Sequence, residues 1–276
     1  MTLTVTATAR TDAAPCPRVE VLIDDLDEDV ATITLYRVAE GRTWRARGAV
    51  SASVSTGFQV VDVEAPFQTE MQYRAEMFDV DGISLGYTPT ATVTLDVATT
   101  WVHNPLDPWN AVEIDLADSS GKALTRPVNG QRYYPEQRPL AVFITGRRLG
   151  LQGVELFMST DSASIATKFE SMIGGYENQS VPVLCVRTPP LIDIPRTFFA
   201  GVLSPKAVPV NVHLGGTLRR WELVADEAEP PFPGIIVPLL TRDDIDAAFD
   251  TRDEMDAAYA TRLDIDRDFS KAGGGE

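Results

Sequence analysis

Short stretches of alternating apolar and polar residues, each stopped by glycine, proline or an acidic turn, fill residues 1 to about 98. Leu3 to Ala7, Val19 to Ile23, Ala31 to Arg37, Phe58 to Val63 and Glu70 to Phe78 read this way. Asp79-Val80-Asp81-Gly82 then turns the chain into Ile83 to Tyr87 and Thr90 to Val97. A period of two puts one face of each stretch on a core and the other in water. Gly41, Gly48 and Gly57 punctuate further short runs, and no stretch here carries a helical period. Roughly seven short strands in about 100 residues is the pattern of a β-sandwich. Residues 1–98 are expected to form one.

A second, β-rich domain, sandwich or barrel, is expected over residues 99–228. Trp101 to Pro108 opens it as a proline-bracketed linker. Ala111 to Leu116 alternates as a strand, Leu140 to Ile144 reads as a buried strand, and Gly150 to Met158 gives another. Ser162 to Met172 predicts a helix. Ser162 stands at the cap, Ile165, Phe169 and Met172 share a face, and Gly174-Gly175 ends it. Val181 to Val186, Thr197 to Leu203, Val208 to Leu214 and Leu218 to Val224 complete the set. Residues 229–240, beginning Glu-Pro-Pro-Phe-Pro-Gly, read as a stiff hinge.

Residues 241–276 form an acidic arm. Thr241 to Asp250, Thr251 to Ala260 and Thr261 to Ser270 repeat one decapeptide, Thr-Arg-x-Asp/Glu-Ile/Met-Asp-x-x-Phe/Tyr-x. Each Thr stands three residues before an acid (Asp244, Glu254, Asp264), which is the spacing of a capping box. Ile245 with Phe249, Met255 with Tyr259, and Ile265 with Phe269 are four apart and would share a helical face. Ten steps of about 100° rotate each repeat by roughly 80°, so one continuous helix would smear its apolar stripe. Three short helices, each restarted at Thr, fit better. A strand stays open as an alternative because ten is even, and so does an acidic tail without fixed structure. One aliphatic and one aromatic residue per repeat cannot make a core, so the arm needs a partner surface.

The net charge of −16 argues against nucleic acid and against an anionic membrane surface. No run approaches the ~18 apolar residues of a membrane span, and Met1 to Pro15 has neither the basic nor the apolar part of a signal peptide. Cys16 and Cys185 give no disulfide framework and no metal spacing, and read as thiols of a protein made in a reducing cytoplasm. The catalytic inventory is thin. His103 and His213 lie far apart, and neither phosphate-binding glycine loops nor a nucleophile elbow is present. Asp24 to Asp29 is a dense acidic run that could gather Ca²⁺, but it reads better as a solvated loop. No enzyme activity, cofactor or metal is expected.

Gln72-Tyr73-Arg74-Ala75-Glu76, with the Asp-Gly turn and Ser84-Leu85-Gly86-Tyr87 after it, resembles the last two strands of a fibronectin type III or immunoglobulin-like module. The decapeptides, with Thr251 to Thr261 at their heart, resemble the short repeats that end minor tail proteins of long-tailed actinobacterial phages. Trp101 to Pro108 and the passage from Arg219 to Pro231 resemble the same proteins. In that family an aromatic more usually follows Thr, where this chain has Arg242, Arg252 and Arg262.

The resemblance implies a structural virion protein at the tail tip, made in the host cytoplasm. It would assemble as a ring or collar with other copies of itself and other tail-tip proteins, with no nucleic acid bound and no membrane inserted. The expected interface is Ile245, Phe249, Met255, Tyr259, Ile265 and Phe269. A second expectation is a tip protein that binds a host-surface glycan or receptor, with Trp101, Trp109, Tyr133 and Tyr134 as candidate aromatics.

Overall fold

A computed structural model of the chain describes residues 2–13, 15–136, 138–174, 181–210, 218–231, 245, 248–249 and 251–259. It is mainly β, with several sheets and a barrel. Contacts divide it into a unit built on Met1–Val97 with Leu106–Ala111 and a second built on Ala98–Pro105 with Val112–Pro231.

Among the described residues, nine strands lie wholly in the N-terminal unit: β1 (Thr4–Arg10), β2 (Arg18–Asp24), β3 (Thr32–Ala39), β4 (Arg42–Arg45), β5 (Ala52–Ser53), β6 (Gly57–Asp62), β7 (Glu70–Phe78), β8 (Ser84–Tyr87) and β9 (Ala91–Thr94). One sheet runs β1-β2-β6 and the other β4-β3-β7-β8, with β5 added to β3 and β9 to β7. The alternation in β7 is direct: Met71, Tyr73 and Ala75 are buried while Glu70, Gln72 and Arg74 face water. Val19, Val21 and Ile23 of β2 and Ile33 and Leu35 of β3 join this core. Glu40 and Gly41 both have positive φ, the conformation of a two-residue turn whose twist suits a hairpin, and they fold β4 back on β3.

Charged residues are buried here too. The Arg37 guanidinium on β3 donates to the Asp62 carboxylate at the end of β6, and both side chains are 2% exposed. That carboxylate also accepts from the Tyr73 hydroxyl at 2.8 Å and from the Glu64 amide at 2.9 Å. Arg37 and Tyr73 belong to one sheet and Asp62 to the other, so one carboxylate ties both sheets. Arg47 forms a second buried pair with Glu64 at 2.8 Å.

Burial disfavours ionised Asp62, but the charge of Arg37 and hydrogen bonds from Arg37, Tyr73 and Glu64 outweigh it and hold the carboxyl below its ordinary value. Burial dominates at Glu64 and leaves that group above its ordinary value despite Arg47 and Arg37. Tyr73 is pushed well up, by burial and by the charge of Asp62.

The second unit takes in β10 (Thr100–Asn104), β11 (Asp107–Leu116) from Val112 onward, β12 (Val128–Tyr133), β13 (Val142–Arg148), β14 (Val154–Thr160), α1 (Ala163–Ile173), β15 (Val183–Arg187), β16 (Thr197–Val202), β17 (Lys206–Pro209) and β18 (Arg219–Glu227). The sheet order is β14-β11-β10-β15-β16-β18-β17, and β14 also pairs with β18 from Val154↔Ala225 to Thr160↔Arg219. That last pairing closes a six-stranded barrel and leaves β17 as a flap on β18.

Val154, Leu156 and Met158 of β14, Trp221, Leu223 and Ala225 of β18, and Phe198, Ala200 and Val202 of β16 point into it. The helix α1 adds Ala166, Phe169 and Met172 to the same core. Its N-cap is Ser162, whose hydroxyl accepts the Ile165 amide at 3.3 Å, and Gly174 with φ 87° ends it. Phe169 meets Trp221 at 4.8 Å between centroids, and the Trp221 indole donates to Thr160. The opposite face of β10, β15 and β16 is buried as well, through Trp101, His103, Cys185, Arg187 and Phe199.

Two expectations change here. His103 sits wholly buried in strand β10, not in a linker, because all five residues of Thr100–Asn104 are covered. Leu140 to Ile144 is not a buried strand: Leu140 is 79%, Phe143 67% and Ile144 68% exposed. An apolar run reports what a segment would bury, not whether its own chain covers it. Gly175, residues 176–180, 211–217 and 232–240, and with them His213 and most of the expected hinge, lie outside the described residues.

Candidate assembly surface

The connection between β11 and β14 is where the barrel unit departs from an ordinary soluble surface. β12 and β13 form a two-stranded sheet of their own, paired with each other alone among the described strands. The Leu149 amide bonds to the Pro127 carbonyl and the Gln152 amide to that of Thr125, which fastens the base of the hairpin. Above the base, Arg132 pairs with Phe143, Tyr133 with Val142, and Gln131 with Ile144.

Directly opposed residues share a face, so Tyr133, Val142 and Ile144 lie on one side and Phe143 on the other. Both faces therefore carry exposed apolar side chains, and both edges have ladder groups open to another strand. Gly130 is needed at the bulge: a Cβ there would stand 2.7 Å from Thr145 Cγ2 and 2.8 Å from the Ile144 carbonyl oxygen. A two-stranded hairpin alone is at best marginal in water, and apolar patches of this kind mark interaction sites.

The hairpin is also basic. Lys122, Arg126, Arg132, Arg138, Arg147 and Arg148 stand against the single acid Glu136 between residues 122 and 149, in a chain whose net charge is −16. None of these six cations has an ion pair among the described residues. The Arg148 guanidinium donates to the Arg126 carbonyl, and the Arg132 guanidinium lies 5.4 Å from the Tyr134 ring centroid.

In the second decapeptide, α2 (Arg252–Ala258) is a short helix. The Thr251 hydroxyl accepts the Glu254 amide, and the Glu254 carboxylate accepts the Thr251 amide, each at 3.3 Å. This is the reciprocal cap that the Thr-x-x-Glu spacing predicts. Arg252 and Asp256 form an i,i+4 pair at 3.9 Å, so exposed that it adds little. Met255 and Tyr259 are half-buried and Glu254 and Asp256 exposed. From the first repeat, Ile245 and Phe249 are half-buried, and the Phe249 amide bonds to the Ile245 carbonyl as in a helical turn. Phe249 and Tyr259 meet edge to face at 5.9 Å. Ile265 and Phe269 lie outside the described residues.

The four aromatics considered for a glycan separate. Trp101 is buried, with its indole donating to Thr99. Trp109 is half-buried. Tyr133 and Tyr134 are exposed, at 60% and 55%. In the Asp24 to Asp29 loop, Leu26 and Val30 point inward while Asp24, Asp27, Glu28 and Asp29 face solvent. Among the described residues no three His, Cys, Asp or Glu side chains converge as metal ligands. Comparisons of the chain with family models, with curated proteins and with solved structures find no match.

Proposed function

We propose that this chain is a structural component of a phage tail tip, assembling as a ring or collar through its C-terminal repeats. The observation that carries the reading is the capped middle repeat. Thr251 and Glu254 form a reciprocal cap, yet Phe249, Met255 and Tyr259 remain only half-buried within one chain. A helix of seven residues has little stability alone. Its apolar side chains gain cover from another surface. At ~1.5–3 kcal/mol for each large side chain taken from water to full burial, the apolar positions of the repeats supply binding energy that is set against the cost of ordering the arm.

The N-terminal unit we read as a fibronectin- or immunoglobulin-like sandwich that serves as a spacer. Two sheets tied by Arg37, Asp62 and Tyr73 support this. A chain stopped at Pro233 is expected to run as a monomer in light scattering while keeping the circular dichroism of its β units. In particles raised on an actinobacterial host, an antibody to the chain labels the tail tip. An unchanged solution mass after truncation defeats the assembly reading, and absence from purified particles defeats the tail-tip reading.

A second reading rests on Tyr133 and Tyr134, consecutive and both exposed, with Arg132 over the Tyr134 ring. Aromatic faces beside a guanidinium suit a host glycan. Whole-cell binding by the full chain that is lost in Tyr133→Ala/Tyr134→Ala favours it. Equal binding by both proteins removes it.

A further inference from the structure

We infer that the β12–β13 hairpin of one copy is the seat for the decapeptide repeats of a second copy. The inference rests on the assembly reading above and adds the identity of the receiving surface. Charge is its first support. Lys122, Arg126, Arg132, Arg138, Arg147 and Arg148 against Glu136 give the hairpin region a net +5. The repeats from Thr241 to Ser270 carry Asp243, Asp244, Asp246, Asp250, Asp253, Glu254, Asp256, Asp264, Asp266 and Asp268 against Arg242, Arg252, Arg262 and Arg267, a net −6. The hairpin cations have no carboxylate partner among the described residues, and the described acids of α2, Glu254 and Asp256, face solvent.

Apolar matching is the second support. Leu140, Phe143 and Ile144 are each about two-thirds exposed or more. Met255, Tyr259 and Phe249 offer one aliphatic and two aromatic side chains that are half covered. On the face that carries Phe143 with Arg132, such a contact buries apolar area and borders it with opposite charges, the usual anatomy of a specific interface. Spacing is the third. Acids recur at the same place in each repeat, at Asp246, Asp256 and Asp266. Arginines recur along both strands of the hairpin and in its loop, at Arg132, Arg138 and Arg147. A repeating arm can thus engage in more than one register before it locks. The hairpin's open edges do not by themselves select this partner, because they would equally accept the hairpin of another copy. The charge does select it: hairpin on hairpin brings two surfaces of +5 together, a like-charge contact that works against association.

Charge exchange in the full-length chain tests the inference. The hairpin-reversed chain is Arg132→Glu, Arg138→Glu, Arg147→Glu, and the arm-reversed chain is Asp246→Lys, Asp256→Lys, Asp266→Lys. Each alone is expected to fall to single-chain mass at micromolar concentration by light scattering. A chain carrying all six substitutions, with −1 on the hairpin and 0 on the repeats, regains no attraction and stays below wild-type mass, whereas an equimolar mixture of the two triple variants brings a +5 hairpin to −6 repeats and forms a mixed complex. A hairpin-reversed chain that assembles like wild type overturns the inference and leaves arm-driven assembly standing. Wild-type mass in a chain stopped at Pro233 overturns the underlying reading instead, and points to hairpin-to-hairpin pairing. A monomeric wild-type chain whose hairpin amides lose exchange protection on truncation shows the arm docked on its own hairpin, which also overturns exchange between copies.

Discussion

In the N-terminal unit, charges lie inside; in the β12–β13 hairpin of the barrel unit, apolar side chains lie outside. Arg37, Asp62, Arg47 and Glu64 are each almost wholly buried, whereas Leu140, Phe143 and Ile144 stand in solvent. Each placement is costly in isolation, and each is resolved differently. The buried charges are paired within the unit by the Arg37–Asp62–Tyr73 and Arg47–Glu64 contacts, although Arg37 Nε has no hydrogen-bond partner among the described residues. The exposed apolar residues have no cover of comparable extent among the described residues. Buried charges paired within one unit mark a part that is finished as one chain; an uncovered apolar hairpin marks a part that another surface completes. The N-terminal unit has exposed apolar residues of its own, Val80, Ile83 and Leu85, but these lie in and just after one turn, and Tyr87 beyond them is half-exposed beside Arg74 and Tyr36.

The comparison breaks most readily at Arg37. Replacing it with Met leaves Asp62 and Tyr73 buried around a carboxylate that has lost its counter-charge. Removing one partner of a buried pair costs ~3–5 kcal/mol. Urea unfolding followed by hydrogen exchange should show β3 and β7 opening early while β14 and β18 keep their protection. Equal protection in β3 and β7 of the variant and the wild type would falsify the view that this network holds the two sheets together. In the barrel the matching test is Phe169→Ala, which empties the contact with Trp221 and costs ~3–5 kcal/mol, with the loss appearing in β14 and β18.

Acid sharpens the same contrast. Asp62 is held below its ordinary value of 3.8, so it contributes stability above that pH and loses it as the pH falls through the lower folded value. Glu64 has the opposite sign. Its raised folded pKa means that the folded unit holds the Glu64 proton more tightly than the unfolded chain, so protonation near and above pH 4.5 favours folding. The N-terminal unit should therefore resist mild acid and fail below about pH 3.8, as the Asp62 contribution disappears. Asp62→Asn should lower its melting temperature at pH 7 and flatten the loss between pH 4 and 2. A steep loss that persists in that variant would move the acid sensitivity to another group.

The strands of the N-terminal unit were largely legible, because a half-buried strand writes its alternation into the sequence: Glu70 to Phe78 reads as β7 and folds as β7. The helix was legible for a similar reason, since Ser162, Phe169, Met172 and Gly174 are local signals. What stayed hidden depends on distant partners. Closure of the barrel rests on β14 meeting β18 across about sixty residues of chain, and neither strand announces its neighbour. Arg37 occupies a place in β3 whose pattern does not say that Asp62 waits opposite it. Leu140 to Ile144 failed as a reading of burial for the reason that makes it useful: its composition asks for cover that the described chain does not give. The arm's local part, the Thr251–Glu254 cap, was written in its spacing.

The smallest expected effect separates a fold from an interface. Phe143→Ser with Ile144→Ser removes two large apolar side chains, a change that in a core would cost several kcal/mol. Here both are about two-thirds exposed, so little burial is lost, and the substitution should move the stability of the barrel unit by no more than ~0.5 kcal/mol. Solubility should rise as the apolar patch shrinks, and the assembled mass should fall, because the lost area mattered only between copies. Differential scanning calorimetry and light scattering on the same sample read the two quantities together. A large drop in melting temperature with unchanged mass would make the hairpin part of the barrel's own stability. The contrast with Arg37 would then be one of degree, since both regions would be finished within a single chain.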